Sequence, residues 1–270
     1  MALYIKHDLE SRIIEWHNEH AYSNNNETYF PSVTTILGII AKGEHLIKWY
    51  QTNGLNANYL MREAQDFGKK IHRLTEEFDT NLDKPINVRE YNADGKVVFE
   101  HDNRTWEFLS RYIDFRKRFP IKILAIEQSL CSETLKVGGT IDRVFELNGE
   151  RYLVDLKTGP NIYKEYSLQL YAYKLLWDEF FPNYGIDKIA IMHLDSGTHS
   201  FGKKDDIQGY GWKLKTIPLD IPYLKKGWDA SFNLFDWDSP DWKPFFQKYP
   251  DHYCAAELGI KNNIDEAVTQ

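Results

Sequence analysis

The sequence has few cysteines, no long hydrophobic run and no signal-like start, and each of these absences excludes a class of protein. Its only two cysteines, Cys131 and Cys254, cannot build a disulfide framework, a four-cysteine iron–sulfur cluster or a structural zinc site by themselves. No apolar run approaches membrane-spanning length, and Met1–Glu10 carries charges throughout. We therefore expect a cytoplasmic protein without membrane association.

A basic excess is also lacking. The formal net charge is −7 at pH 7, which argues against a protein that coats nucleic acid through bulk charge. Local binding stays open, because the segment 104–122 contains a stripe of basic residues on a predicted helix: Arg111, Arg116, Lys117 and Arg118. A solvated helix face is the simpler interpretation of that stripe.

No internal repeat, low-complexity tract or Gly/Ser-rich linker divides the chain. We therefore expect a single domain over 1–270, with a mainly helical portion to residue 120, an α/β core over 121–195 and a covering segment over 196–270. A Ser/Thr cluster predicts a helix start at Ser32 or Thr34. Periodicity predicts further helices at 44–51, 58–78, 105–119 and 165–180, and strands at 121–130 and 188–194, with an edge strand near 209–217. This order indicates a mixed sheet with helices packed on it.

A β-hairpin is predicted around Asn148 and Gly149. A two-residue Asn-Gly loop fixes strand register, and counting back from it places Asp142 opposite Asp155. Two carboxylates facing each other on one side of a sheet are destabilising unless their charge is compensated. The other side is mainly apolar, and its residues are Ile141, Phe145, Tyr152, Val154 and Leu156.

Lys157 falls on the same side as Asp155 because strand side chains alternate. A divalent cation between the aspartates, with this lysine beside it, is the hypothesis that the pattern favours. Oxygen ligands suit Mg²⁺ or Mn²⁺, which can polarise a phosphoryl oxygen and activate water. The simpler alternative is a surface hairpin whose carboxylates form ion pairs with Lys157, Arg143 or Arg151.

His72 and Glu127 are further candidates for the same site. His72 lies beside the apolar stripe of helix 58–78, one turn after Gly68, whose missing side chain lets another group approach. Glu127 lies in the strand 121–130. Packed or solvated side chains are the ordinary roles of such residues, so both assignments are hypotheses.

Gln169 and Tyr173 are one helical turn apart and share a face. Core packing alone explains the tyrosine. A buried glutamine needs hydrogen-bond partners, and beside a metal–phosphate site it would bond to the hairpin backbone or to the substrate.

Together these residues resemble the PD-(D/E)xK nuclease superfamily, and within it the RecB-like exonucleases of phage recombination systems and the mitochondrial genome maintenance exonuclease. The motifs follow the family's order: the segment 31–37, Gly68-x-x-x-His72, Glu127, Gly139-x-x-Asp142, Asp155-x-Lys157 and Gln169-x-x-x-Tyr173. The resemblance implies a restriction-endonuclease-like α/β fold, in which helices flank a mixed sheet and a helical portion precedes it. It also implies that the protein acts in the cytoplasm of a bacterial or phage-infected host cell.

The resemblance assigns roles residue by residue. The implied catalytic residues are Lys157, Asp142, Asp155 and Glu127. The implied ligands of Mg²⁺ or Mn²⁺ are His72, Asp142, Asp155 and the Leu156 carbonyl. The residues implied to support the site or bind the DNA strand are Gln169, Tyr173, Ser32 and Thr34.

Three features depart from the family or from its relatives. Ile141 stands where the superfamily's namesake proline precedes the aspartate, although the RecB-like branch commonly shows this Gly-x-x-Asp form. The cysteines that hold an iron–sulfur cluster in some relatives are missing, and no Gly-x-x-x-x-Gly-Lys-Ser/Thr segment is present. We expect no iron–sulfur cluster, no nucleotide and no fused motor, so a helicase, recombinase or single-strand-binding protein is the expected kind of partner. The sequence specifies no oligomeric state.

The sequence thus predicts a metal-dependent DNA exonuclease that acts on single- or double-stranded ends in recombination, replication or repair. Three alternatives stay open. One is a structure-specific or nicking endonuclease of the same fold, and another is a catalytically silent nucleic-acid-binding subunit. The third is a tryptophan-rich binder of a small ligand or carbohydrate.

Overall fold

The computed structural model describes residues 12–16, 19–23, 28–40, 44–81, 83–87, 89–203 and 206–244. Over these residues the chain forms eleven strands and six α-helices. The strands are β1 (Arg12–Trp16), β2 (Glu19–Ser23), β3 (Tyr29–Pro31), β4 (Arg89–Tyr91), β5 (Val97–Glu100), β6 (Lys122–Ser132), β7 (Val137–Leu147), β8 (Glu150–Lys157), β9 (Lys188–His193), β10 (Gln208–Gly209) and β11 (Trp212–Ile217). The helices are α1 (Val33–Leu37), α2 (Glu44–Asn53), α3 (Ala57–Thr80), α4 (Asn103–Arg118), α5 (Glu165–Phe180) and α6 (Ile221–Asp238). Met1–Glu10, Cys254 and the rest of 245–270 lie outside the described residues.

The predicted hairpin forms β7 and β8, two inner strands of the main sheet. Asn148 and Gly149 both have positive φ, 54° and 82°, as a type I′ turn requires. The strands pair from Leu147 opposite Glu150 to Arg143 opposite Val154, which confirms the predicted register to that point. Asp142 and Asp155 are the next residues along the two strands.

The main sheet has six strands in the order β10-β11-β9-β8-β7-β6. Its neighbours are antiparallel except for β8 and β9, which are parallel, and α5 connects these two strands. A parallel pair needs such a crossover because its strands run in the same direction. The result is the predicted mixed α/β sheet flanked by helices, consistent with a restriction-endonuclease-like fold.

The structure confirms the predicted helices, and α5 begins and ends at the predicted residues. Ser32 caps α1 by accepting a hydrogen bond from the Thr35 N–H at 2.9 Å. The structure adds β1 to β5 within the portion that was expected to be mainly helical, and it adds α6 to the C-terminal segment. None of the described helices is long and apolar enough to cross a membrane.

Two hydrophobic clusters lie on opposite faces of the sheet. One joins the sheet to α1, α5 and α6, and the residues that these helices contribute include Val33, Ile36, Leu170, Trp177 and Trp228. The other joins the sheet to α3 and α4, through Ile71, Phe108, Tyr112 and Phe115. Both clusters bury large apolar side chains, which is the main stabilising contribution to such a layered fold.

The alternation of faces along β7 is interrupted near Asp142. Ile141 packs in the cluster of α5, and not with Phe145 in the cluster of α3 as strict alternation predicts. Asp142 and Arg143 follow it, and both reach residues of α3. On the adjacent strand, Glu127 has a left-handed backbone with φ of 44°, and such local irregularity re-aims side chains in bulged strands.

Lys117 of the basic stripe on α4 is exposed, as a solvated helix face predicts. The three arginines of the stripe are only partly exposed and bond to the protein itself. Their acceptors are the Leu194 carbonyl for Arg111, Asp79 for Arg116 and the Gln208 carbonyl for Arg118.

Asp79 joins α3, α4 and β7. Its side chain is fully buried and accepts hydrogen bonds from the Tyr112 hydroxyl at 2.5 Å and from Arg143 Nε at 2.9 Å, and it also pairs with Arg116. A buried carboxylate is tolerated when it is paired and hydrogen-bonded in this way. These contacts fix α3 against the sheet.

We predict that Asp79→Ala lowers the free energy of unfolding by about 3–5 kcal/mol, because it leaves a buried arginine without its partner. Urea denaturation followed by circular dichroism measures this loss. Asp66→Ala, at an exposed position of the same helix, is the matched control and should change stability little. Equal effects of the two substitutions would contradict the structural role of Asp79.

Candidate active site

Three side chains from three different elements converge at one place beside the hairpin. His72 Nδ1 of α3 lies 3.6 Å from Glu127 Oε1 of β6 and 3.6 Å from Asp142 Oδ2 of β7. The ligand atoms of the three residues lie within 4.8 Å of one another. This set of two carboxylates and an imidazole is a donor set that suits a divalent metal ion.

The orientation of His72 is fixed by the hairpin. Its Nε2 lies 3.0 Å from the Leu156 carbonyl oxygen, so the Nε2–H donates this bond and Nδ1 faces the carboxylates. Such bonds from the second ring nitrogen orient histidine ligands in metal sites. A Cβ at Gly68 would lie 3.4 Å from Thr158 Oγ1, an ordinary contact distance, so the packing of α3 against the hairpin does not require a glycine there.

The two carboxylates of this group are held by the protein. The Leu156 N–H donates to Asp142 Oδ2 at 2.6 Å, and Arg143 lies 3.2 Å from Glu127 Oε1. Glu127 adopts a positive φ, which is uncommon for a residue other than glycine and occurs at functional sites. Both acidic side chains are therefore held in defined positions.

Asp155 and Lys157 lie next to this group on the α5 side of β8. Gln169 Nε2 donates to Asp155 Oδ1 at 3.2 Å. Lys157 Nζ is 2.7 Å from Asp155 Oδ2, so the two side chains form a close ion pair.

Gln169 connects Asp155 to Tyr173. The Gln169 amide donates both to this carboxylate and to the Tyr173 hydroxyl at 3.0 Å, so its partner is a site side chain and not the hairpin backbone. Gly139 makes room for the tyrosine ring, since a Cβ there would come within 2.5 Å of it. This contact gives a physical reason for the glycine in Gly139-x-x-Asp142.

Burial and neighbouring charges shift the pKa values of four residues of the site. Burial raises the pKa of Asp142, and it raises the pKa of Asp155 to about 6 against the opposing effect of Lys157. Burial alone would lower the pKa of His72, but Asp142 and Glu127 raise it to about 9. Burial likewise opposes the charge of Lys157, but the aspartates raise its pKa, so its ammonium group stays charged. The site therefore holds more negative charge than its buried position favours.

The residues present fit a divalent metal. The donor set of His72, Glu127 and Asp142 is of the right kind, and the buried Asp155 carboxylate lies beside it. A cation would stabilise the ionised aspartates, whose pKa values are raised mainly by burial. The Leu156 carbonyl, another predicted ligand, accepts the bond from His72 and has one lone pair left.

Ser32 and Thr34 lie at the start of α1. The two hydroxyl groups bond to each other at 2.8 Å, and Ser32 forms an isolated bridge with Gly138 of β7. These contacts connect α1 to the strand that carries Asp142. A role of either hydroxyl toward substrate stays a prediction.

Sequence reasoning missed the positioning role of Arg143, which it treated only as an ion-pair partner for surface carboxylates. Its guanidinium joins Glu127 to Asp79 and to Thr75 Oγ1. A signal for this contact exists in the sequence. His72, Thr75 and Asp79 have the i, i+3, i+7 spacing that places polar groups on one helix face.

The family model of the PD-(D/E)XK nuclease superfamily matches residues 47–206, which is more than half of the chain. The chain therefore belongs to the PD-(D/E)XK nuclease superfamily. The matched range includes His72, Glu127, Asp142, Asp155, Lys157, Gln169 and Tyr173, and it begins after Ser32 and Thr34. No curated protein matches the chain. Members of this superfamily are nucleases that use divalent metals, so membership indicates a nucleic-acid substrate.

We predict that a divalent metal stabilises the folded protein. Mn²⁺ at a hundredfold excess over its Kd should raise the free energy of unfolding by about 2.7 kcal/mol, measured as an increase of the thermal unfolding midpoint. Asp142→Asn should abolish the increase. It should also leave the metal-free midpoint unchanged or higher, because it removes one of the crowded charges. Asp66→Asn is the control, and a Mn²⁺ response in Asp142→Asn equal to that of the wild type would exclude this site.

Proposed function

We propose that the protein is a Mg²⁺- or Mn²⁺-dependent DNA exonuclease of the RecB-like branch of its superfamily. The observation that carries the proposal is the placement of Asp155 and the charged Lys157 beside the group of His72, Glu127 and Asp142. Acidic ligands beside an ammonium group suit phosphodiester hydrolysis at a metal, because the metal activates water and the ammonium group stabilises charge on the phosphate.

In this proposal His72, Asp142 and Asp155 hold the metal, and Glu127 completes the acidic site. When bound, the metal supplies Lewis acidity toward a phosphate oxygen and lowers the pKa of a coordinated water molecule. Lys157 stabilises the negative charge that develops on the scissile phosphate, and its ammonium stays protonated next to the aspartates. The protein contributes mainly orientation and charge.

Two residues position this machinery without touching the substrate. Gln169 holds the Asp155 carboxylate from the side of α5, and Arg143 holds Glu127 from the side of α3. Each carboxylate is thereby fixed before substrate binds. Preorganised groups need no rearrangement during the reaction, which is a large part of their effect on the rate.

The order of the six sequence motifs supports the exonuclease branch over a structure-specific or nicking endonuclease. A catalytically silent subunit is disfavoured because the aspartates and Lys157 are all retained, and a carbohydrate binder is disfavoured by membership of a nuclease superfamily. We place the activity in recombination, replication or repair in the cytoplasm. A helicase, recombinase or single-strand-binding protein is the proposed partner.

Exonuclease activity needs a free DNA end, whereas endonuclease activity does not. Purified protein is incubated with linear DNA labelled at either end, both single- and double-stranded, and with circular DNA of the same sequence. We expect release of nucleotides from linear DNA with Mg²⁺ or Mn²⁺ and none with EDTA. Equal cleavage of circular DNA would replace the exonuclease by an endonuclease, and inactivity on every substrate would overturn the proposal.

We predict that Lys157→Ala lowers kcat on linear DNA by at least about a hundredfold, the loss typical of removing one stabilising donor. The far-ultraviolet circular dichroism spectrum should be unchanged. Lys215→Ala, an exposed lysine of β11, is the control and should retain full activity. Wild-type kcat in Lys157→Ala would remove the lysine from the mechanism.

A further inference from the structure

A groove lies between the start of α5 and the helix α6, on the face of the sheet opposite α3. Its volume is about 450 Å³, and Ile40 and Leu168 are among its apolar lining residues. Lys164, Tyr223 and Lys226 also line it. The groove therefore combines an apolar surface with two cationic side chains.

Two tyrosines beside and within this groove are unusually open to solvent. Tyr163 is 50% exposed and Tyr223 is 52% exposed, and Lys164 Nζ lies 5.7 Å from the ring centre of Tyr223. Exposed aromatic rings next to cations are the combination with which proteins bind unpaired nucleic-acid strands. The rings stack on bases, and the cations contact phosphates.

Two tyrosine rings connect the edge of the groove to the proposed active site. Tyr166 packs edge-on against Tyr163, with ring centres 5.6 Å apart. The same ring lies 4.6 Å from Lys157 Nζ. A strand that stacks on Tyr163, beside the groove, therefore lies next to the ring that contacts Lys157.

Charge in the groove is opposite to that of the whole protein. The chain carries a net charge of −7, yet Lys164 and Lys226 outnumber the one acidic lining residue, Glu165. Local positive charge of this kind attracts phosphates even in an acidic protein.

We infer that this groove binds an unpaired nucleic-acid strand next to the scissile phosphate, with Tyr163 and Tyr223 stacking on bases and Lys164 and Lys226 contacting phosphates. The inference rests on the proposed nuclease function and adds a single-strand preference to it. A duplex does not fit this role, because the faces of its bases are covered by their neighbours.

The first test is binding of a fluorescein-labelled single-stranded oligothymidylate to the full chain in EDTA, measured by fluorescence anisotropy. Tyr223→Ala should weaken binding at least about fivefold, the lower end of a lost base–aromatic stack. Tyr223→Phe keeps the ring and should bind as the wild type does. Tyr210→Ala removes a ring that is 58% exposed near the far edge of the sheet and is the matched control.

The second test measures the salt dependence of binding in the double variant Lys164→Ala/Lys226→Ala. Loss of two phosphate contacts should reduce the slope of log K against log salt concentration by about 1.4, since each contact to a single strand contributes about 0.7. A lysine with only a structural role would not change this slope. An unchanged slope would overturn the phosphate contacts.

The experiments distinguish failure of the proposed strand binding in the groove from failure of the proposed nuclease function. Metal-dependent hydrolysis with wild-type KM in every groove variant would overturn the groove and leave the nuclease intact. Loss of oligonucleotide binding in these variants, without hydrolysis by the wild type, would support the groove and overturn the nuclease. Equal competition by a duplex, absence of wild-type binding, or an equal loss in Tyr210→Ala would also overturn the inference.

Discussion

Burying the carboxylates of Asp142 and Asp155 next to each other costs free energy, and much of the surrounding structure consists of groups that offset this cost. The pKa of each is raised by burial. His72 on one side and Lys157 on the other supply positive charge, while Gln169 supplies a hydrogen bond. A buried charge with such partners is stable, whereas an unpaired one is not.

This constraint explains why helices on both faces of the sheet are needed. The site lies at the hairpin between the two layers, where α3 delivers His72 and α5 delivers Gln169. The Asp79 network fixes α3 to β7 through Arg143, and the same guanidinium reaches Glu127. Stability of the fold and placement of the acidic groups therefore depend on shared contacts.

The sequence was most informative where local chemistry determines geometry. The Asn148-Gly149 turn predicts strand register because few backbone conformations close a two-residue loop, and the apolar period predicts α3 and α5. The predicted face of Ile141 is wrong, because strict alternation does not report the irregularity at which both Asp142 and Arg143 reach α3. The Arg143–Asp79 pair joins residues that are distant in sequence, and short-range patterns do not report such pairs.

The packing of the helices on the sheet indicates that the site is formed before a metal binds. Small zinc domains need the ion to fold because they lack a sufficient core. Here two apolar clusters hold the helices on the sheet. With a pKa of about 9, His72 carries a proton near neutral pH and neutralises part of the carboxylate charge. A bound metal would displace that proton and supply its positive charge. Metal binding would therefore replace one cation beside the aspartates by another and leave the fold unchanged.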